Sequence, residues 1–222
     1  MKKPLLLIGA GIIVLLVVVF VIARAMNNQG SSTGGETSVS VLPETEWPAV
    51  SLTPTNDPQV KGSDGHWLDL NVEKINVPGA VSMDYLLVYS TTDGGQQGVP
   101  GTVKLNGGDI EHKLLLGSES SGKFRYDAGV SQGNITLTFR DSQGKTLGKV
   151  SSDFHLQSGV ADLTSVDGVF TYTLSKIPSG VFFVTMKTLV QPSASSSIVI
   201  WQNGYGVFSS DGKPHAGSLA AQ

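Results

Sequence analysis

Two patterns of apolar residues divide the chain. From Pro4 to Ala23 twenty consecutive residues carry no charge, and Leu, Ile and Val dominate them. At 1.5 Å per residue a helix of that length spans about 30 Å, the thickness of a bilayer's hydrocarbon core. In lipid the backbone must satisfy its own hydrogen bonds, so the stretch is expected to be helical despite its β-branched content. After about Pro48 the apolar residues come instead in short alternating runs between turn signals, the pattern of strands. From Asn27 to about Trp47 almost nothing is apolar (NNQGSSTGGETSVS), and such a composition buries too little surface to offset its ordering entropy.

The alternation is clearest in Trp67–Ile75, with Leu68, Leu70 and Val72 on one face against Asp69, Asn71 and Glu73 on the other. Ser82–Ser90 is apolar on both faces, as a central strand would be. Ala49–Thr53 reads as an edge strand. Gly101–Leu105 and Ile110–Leu116 flank Asn106-Gly107, a pair that predicts a hairpin between them. Ile135, Leu137 and Phe139 alternate with Thr and Arg, and the turn Asp141-Ser-Gln-Gly144 leads into Lys145–Leu156. Further runs at Val169–Leu174, Gly180–Leu189, Ile198–Trp201 and Tyr205–Phe208 close the series. Asp-Gly pairs at 64–65, 93–94, 167–168 and 211–212 mark turns beside them. No helical periodicity follows the apolar run. About nine or ten strands with loops of varied length predict an all-β domain, a sandwich rather than a barrel. The run from Leu163 to Ser209 is small for a core of its own and is read as strands added to the same sandwich.

The expected organisation is therefore a cytoplasmic stub at 1–3, an anchor at 4–23, a flexible linker at 24–47, a β domain at 48–212 and a disordered tail at 213–222. Charge sets the orientation. Lys2 and Lys3 precede the apolar run and Arg24 follows it, which by the positive-inside rule leaves the N-terminus in the cytoplasm and the domain outside. Ala23-Arg24-Ala25 matches an A-x-A cleavage pattern and keeps a cleaved signal peptide as the alternative. Against it, the run is longer than a signal's apolar region and Arg24 falls within the motif. Of the formal net charge of −3, the three flanking cations mask a remainder near −6. That balance argues against nucleic acid as a partner. With no cysteine, disulfides, thiol catalysis and thiolate metal sites are excluded.

Gly133-Asn-Ile-Thr-Leu-Thr-Phe-Arg-Asp-Ser-Gln-Gly-Lys145 resembles the late hairpin of bacterial Ig-like and fibronectin-III-like modules, where an alternating strand meets a D-x-x-G-K turn. LLLGSESSGKFRYDAGV is similar to segments of uncharacterised bacterial single-pass surface proteins. The resemblance implies an Ig-like β-sandwich ectodomain; it carries no catalytic residues, and the Cys…Trp…Cys core of antibody domains is absent.

Several motifs approach known chemistry. His66, His112, His155 and His215 are far apart and form no HxH or HExxH pair; Asp64-Gly-His66 with Asp69 offers ligand atoms but reads better as a turn. Ser120-Ser-Gly-Lys123 fits S-x-x-K but contains a glycine and lies between strands, while Lys145-Thr146 is followed by Leu rather than Gly. Leu42-Pro43-Glu44-Thr45 has the LPxT core of a sorting signal at the wrong end of the chain, with Glu46 in place of Gly. Asn134-Ile-Thr136 is a glycosylation sequon on a strand start. Trp47, Trp67, Trp201 and Tyr205 are candidates for an aromatic sugar platform, though Trp67 and Trp201 stand in strand patterns that suit a core. No catalytic residue, cofactor or metal is expected. The sequence reading is a membrane-anchored, non-catalytic module that binds a protein or glycan or serves the envelope structurally. Alternatives are an accessory subunit of a secretion or pilus machine and an enzyme of unrecognised type.

Overall fold

The computed structural model describes residues 41–56, 62–193 and 197–220. These residues all belong to one compact unit. The expected anchor at 4–23, and the linker up to residue 40, lie outside the described residues. Among the residues described, no helix is long and apolar enough to cross a membrane, and the one helical element is a single 3-10 turn at Glu44–Glu46. Everything else regular is antiparallel β, apart from one parallel bridge between Val41 and Lys149.

A three-stranded sheet joins β1 (Ala49–Thr55), β2 (Trp67–Glu73) and β5 (Ile110–Leu115), in the order β1-β2-β5. A seven-stranded sheet is built from β3 (Ser82–Ser90), β4 (Gln96–Lys104), β8 (Gln132–Arg140), β9 (Thr146–Ser158), β12 (Phe182–Lys187), β13 (Ile198–Gln202) and β14 (Tyr205–Ser209). Its order is β13-β14-β12-β9-β8-β3-β4. A second three-stranded sheet has the order β10-β11-β15, from Asp162–Thr164, Thr171–Leu174 and Gly217–Leu219. A two-stranded hairpin, β6 (Gly117–Ser120) with β7 (Lys123–Tyr126), stands apart from all three.

Alternation along the strands builds two cores. In the first, Leu52, Leu68, Leu70 and Val72 of the β1-β2-β5 sheet meet Met83, Leu87, Ile135, Leu137, Phe139 and Phe154 of the large sheet. The second core holds Leu163, Phe170, Tyr172, Leu174 and Val181 with Phe183, Tyr205 and Val207. Strands β12 and β14 serve both. Val184, Met186 and Phe208 face the first core, while Phe183, Tyr205 and Val207 face the second. A strand has only two faces, so the small β10-β11-β15 sheet covers the opposite side of the large sheet at that end. The segment after Leu163 is thus continuous with the rest through the large sheet's ladders.

Within the large sheet Gly133 of β8 gives room to its two neighbours: a Cβ there would meet the carbonyl of Val88 on β3 and come within 2.6 Å of the Phe154 ring on β9. The hairpin at Asp141–Gly144 forms as the sequence pattern predicts, with the Asp141 carboxylate accepting from the N–H groups of Gln143 and Lys145 at 2.9 Å.

Four expectations change. Asn106-Gly107 is not a hairpin turn: β4 pairs with β3 and β5 pairs with β2, so the turn carries the chain from one sheet to the other. Gly107 still takes φ +84°, and the Asn106 side chain accepts from the N–H of Gly108; local turn chemistry is met without dictating which strands pair. Fifteen strands appear among the described residues instead of nine or ten; β6, β7, β10 and β15, of three or four residues each, fall outside the expected runs. Residues 41–47, expected in the linker, belong to the fold. Leu42 is buried, its N–H bonds the Lys149 carbonyl at 2.9 Å, and the Trp47 indole donates to the Leu42 carbonyl at 2.8 Å. Part of the expected tail is also folded: β15 pairs with β11, Tyr172 donates its hydroxyl to the His215 carbonyl, and His215 bonds Asp211.

Because β12 and β14 face both cores, those cores should unfold together. Phe183→Ala, on the side of the second core, should cost about 3–5 kcal/mol and leave one cooperative transition, coincident by circular dichroism and tryptophan fluorescence. Two resolved transitions in urea would mean that the second core stands alone.

Candidate functional site

The hairpin outside the sheets is written in a short stretch, Gly117-Ser-Glu-Ser-Ser-Gly-Lys-Phe-Arg-Tyr126. Ser120 pairs with Lys123, so Ser121-Gly122 is a two-residue loop. Its residues take φ +53° and +76°, the type I′ geometry that matches strand twist. The Glu119 carboxylate turns back to accept the Gly122 N–H. Pairing of Gly117 with Tyr126, Ser118 with Arg125 and Glu119 with Phe124 then sorts the side chains. Gly117, Glu119, Phe124 and Tyr126 share one face; Ser118, Ser120, Lys123 and Arg125 share the other.

The aromatic face lies on the body of the domain. Tyr126 stacks on His66 with centroids 4.6 Å apart, Phe124 meets Trp67 edge-on at 5.7 Å, and Phe124 and Tyr126 stack at 6.3 Å. The base of the hairpin is stitched by the Asp127 N–H to the Leu116 carbonyl and by the Leu116 N–H to the His66 carbonyl. This packing leaves the Trp67 indole N–H and the Tyr126 hydroxyl buried without a partner. Each such group costs about 1–3 kcal/mol, so the hairpin rests on its aromatic contacts against a polar penalty. Burial pushes the His66 imidazole below its usual pKa, against the opposing pull of Asp127 and Asp64.

The open face borders a cleft of about 430 Å³. One wall is the β3–β4 turn, with Thr91, Thr92, Asp93 and Gln97; the other is the hairpin base, with Ser118, Arg125 and Asp127. The walls are tied where Thr92 donates its N–H and hydroxyl to the Ala128 carbonyl, at 3.1 and 3.3 Å. Behind them Tyr89 donates its hydroxyl to Asp127 at 2.9 Å; burial, with that carboxylate, pushes the Tyr89 pKa up. Asp93 is held below the usual carboxylate range by the Thr91 hydroxyl and the Gly95 N–H, with a smaller contribution from Arg125. The ion pairs among the described residues are Lys113–Asp69, Arg140–Asp84 and His215–Asp211, so Lys123 and Arg125 enter none.

A second, narrower depression crosses the outer face of the large sheet beneath the Ser165–Phe170 turn. Its polar groups are matched to one another. Asn134 donates to Asp153 at 2.7 Å and accepts from Thr136 and Ser151, while Asp167 accepts from Tyr205 and Ser165. Burial raises Asp167, but the hydrogen bonds from Ser165, Tyr205 and the Val169 N–H outweigh it and hold the carboxyl low. Burial and that carboxylate push Tyr205 up to about 12.

The four aromatic candidates do not converge. Trp47 packs over Leu42, the Trp201 indole donates to the Thr188 carbonyl at 2.9 Å, and Tyr205 belongs to the second core. Tyr205 stacks on Phe170 at 5.4 Å, while Trp67 joins an aromatic group with His66, Phe124 and Tyr126, none of them a platform candidate. The Lys-Phe-Arg-Tyr alternation after Ser-Gly was the signal for them. Ser120 and Lys123 face each other across a hairpin rather than along a helix. The histidines stand apart: His66 under Tyr126, His112 beside Tyr85 at 5.1 Å, His155 on the Thr164 carbonyl at 2.9 Å, and His215 on Asp211. Asp64 accepts from Asn56, Asp69 pairs with Lys113, and no group of three or more His, Asp or Glu among the described residues is placed to hold a metal.

With its folded pKa lowered, His66 binds a proton more readily in the unfolded chain. Its contribution to stability is full above about pH 6.5 and is lost as pH falls through the lowered folded value. His66→Phe, which preserves a ring against Tyr126, should flatten the fall in urea midpoint between pH 7 and 5; an unchanged slope would contradict the assignment. Compared with known proteins, the chain matches no family model, no curated protein and no solved structure.

Proposed function

We propose that this chain is a tethered, non-catalytic binding module: an Ig-like β-sandwich held outside the cytoplasmic membrane by residues 4–23 and presenting the β6–β7 hairpin to a ligand. The observation that carries the reading is the two-faced hairpin. Its aromatic side is engaged with the domain, while Ser118, Ser120, Lys123 and Arg125 stand exposed beside a polar cleft. Loops and hairpins placed on a rigid scaffold are where binding residues concentrate.

Strand order supports the Ig-like assignment. The β1-β2-β5 sheet faces β9-β8-β3-β4, which corresponds to strands A, B and E against G, F, C and C′ of that fold. On this reading β6–β7 is an insertion between E and F, and the hairpin carrying Asp141–Gly144 is the F–G hairpin, as the resemblance implied. The apolar run and its flanking lysines support the anchor and its orientation.

The chain has no cysteine, so Ser142→Cys in the exposed β8–β9 turn gives one reactive thiol. In intact cells a membrane-impermeant maleimide should label it, and the protein should sediment with membranes. Labelling only after lysis would refute the topology. For the binding role, full-length protein in nanodiscs should be retained by isolated envelope material. Replacing residues 118–125 with a Gly-Ser turn should cut that retention at least tenfold; equal retention would show that the hairpin is not the binding element.

A further inference from the structure

The open face of the hairpin has an unusual composition for this molecule. Lys123 and Arg125 lie two residues apart on one strand, so they project to the same side about 6.5 Å from each other. Ser120 and Ser118 stand directly opposite them. The face therefore presents two cations and two hydroxyls with no acid and no apolar side chain. The hairpin's acid, Glu119, is on the other face and is committed to the Gly122 N–H. This concentration of positive charge stands on a chain with 18 acidic against 15 basic residues.

The surrounding carboxylates have hydrogen-bond partners of their own, and Arg125 acts on Asp93 only as a minor Coulombic contribution. Asp93, across the cleft, is engaged by the Thr91 hydroxyl and the Gly95 N–H. Asp127 accepts the Tyr89 hydroxyl. Neither makes an ion pair with Arg125. A planar guanidinium suits bidentate contact with an oxyanion, an ammonium adds a point charge, and serine hydroxyls supply further donors. The cleft adds Thr92 and Gln97 and falls within the size range of small-ligand sites, about 300–1,000 Å³.

We propose that the hairpin and cleft bind an anionic polysaccharide, with a carboxylate or sulfate gripped by Lys123 and Arg125 and the sugar hydroxyls by Ser118, Thr92 and Gln97. This rests on the binding-module reading and names its ligand. A protein partner is disfavoured by the missing apolar anchor, since interface energy concentrates in buried aromatic residues and here the rings face inward. A nucleic acid is disfavoured for the same reason, because single strands are held by stacking on exposed aromatics. Both cations are exposed, so the attraction is screened by salt, and tethered copies on a membrane gain retention by multivalency.

The test uses full-length protein in nanodiscs with four probes: alginate as polyuronate, dextran sulfate, neutral dextran and single-stranded poly-dT. Alginate and dextran sulfate should bind, at least tenfold more weakly at 0.5 M than at 0.05 M salt, and neutral dextran should not. Lys123→Ser with Arg125→Ser should lower binding of both anionic glycans at least tenfold with an unchanged melting curve. The charge-matched pair Lys145→Ser with Lys176→Ser should leave binding intact. Equal loss in the two pairs would show a diffuse charge effect and overturn the site. Binding of neutral dextran alone, of no glycan, or of poly-dT as tightly as alginate would each overturn the ligand class. The maleimide result separates this from the parent reading: external labelling with no glycan bound leaves the topology and removes the ligand, and internal labelling with alginate bound does the reverse.

Discussion

Strands β12 and β14 are covered on both faces up to the exposed Lys187. Their apolar side chains each join one of two cores, and the alternation of Phe183, Val184 and Met186 on one strand and of Val207 and Phe208 on the other assigns them residue by residue. Slipping either strand by one position would exchange every one of these side chains between cores of different shape. The long β9 follows from the same constraint. Its Phe154–Ser158 end is bonded to β12 while its earlier residues pair with β8, so one strand joins the first sandwich to the strand that faces both cores. Where β9 leaves β12, its edge is met instead by Val41 and Leu42. That placement explains why a segment that looks like linker is folded.

What could be read in the sequence was whatever local chemistry decides. Trp67–Glu73 is half-buried on one face, and its alternation shows it; burial follows the pattern residue by residue. The turn at Asp141–Gly144 is specified by one carboxylate and two N–H groups, and it formed as expected. Asn106-Gly107 was misread because a turn pair fixes only the path of its own few residues. The partner of β5 was chosen by Leu68 and Leu70, which bury it against β2 rather than β4. The short strands at Asp162 and Gly217 owe their existence to pairing with β11, a contact remote in sequence, and no window of three residues records them. The C-terminal segment was lost for the same reason: Tyr172 and Asp211 hold it from outside.

The candidate site was legible only in part. A platform built from tryptophans looked for the largest rings, yet large rings are what a core most readily takes up. Trp47 and Trp201 accordingly spend their indole N–H groups on backbone carbonyls. Phe124 and Tyr126 give little signal in the sequence because they sit among serines and charges. In a two-residue hairpin that is the expected composition, since one face must meet the domain and the other water.

The separation of faces also sets what kind of ligand the hairpin can serve. The aromatic contacts that dock it leave the Trp67 and Tyr126 donors unmet, so rotating the rings outward to grip a partner would sacrifice the stacking that holds the strand pair in place. The rings are therefore structural in the docked hairpin, and under the proposed binding role recognition falls to the groups on the other side. Those are Lys123, Arg125 and two serines, with neighbouring carboxylates already engaged. Such a surface supplies donors and positive charge with little apolar area, and under the proposed binding role a hydroxyl-rich anion is the ligand whose groups it can match.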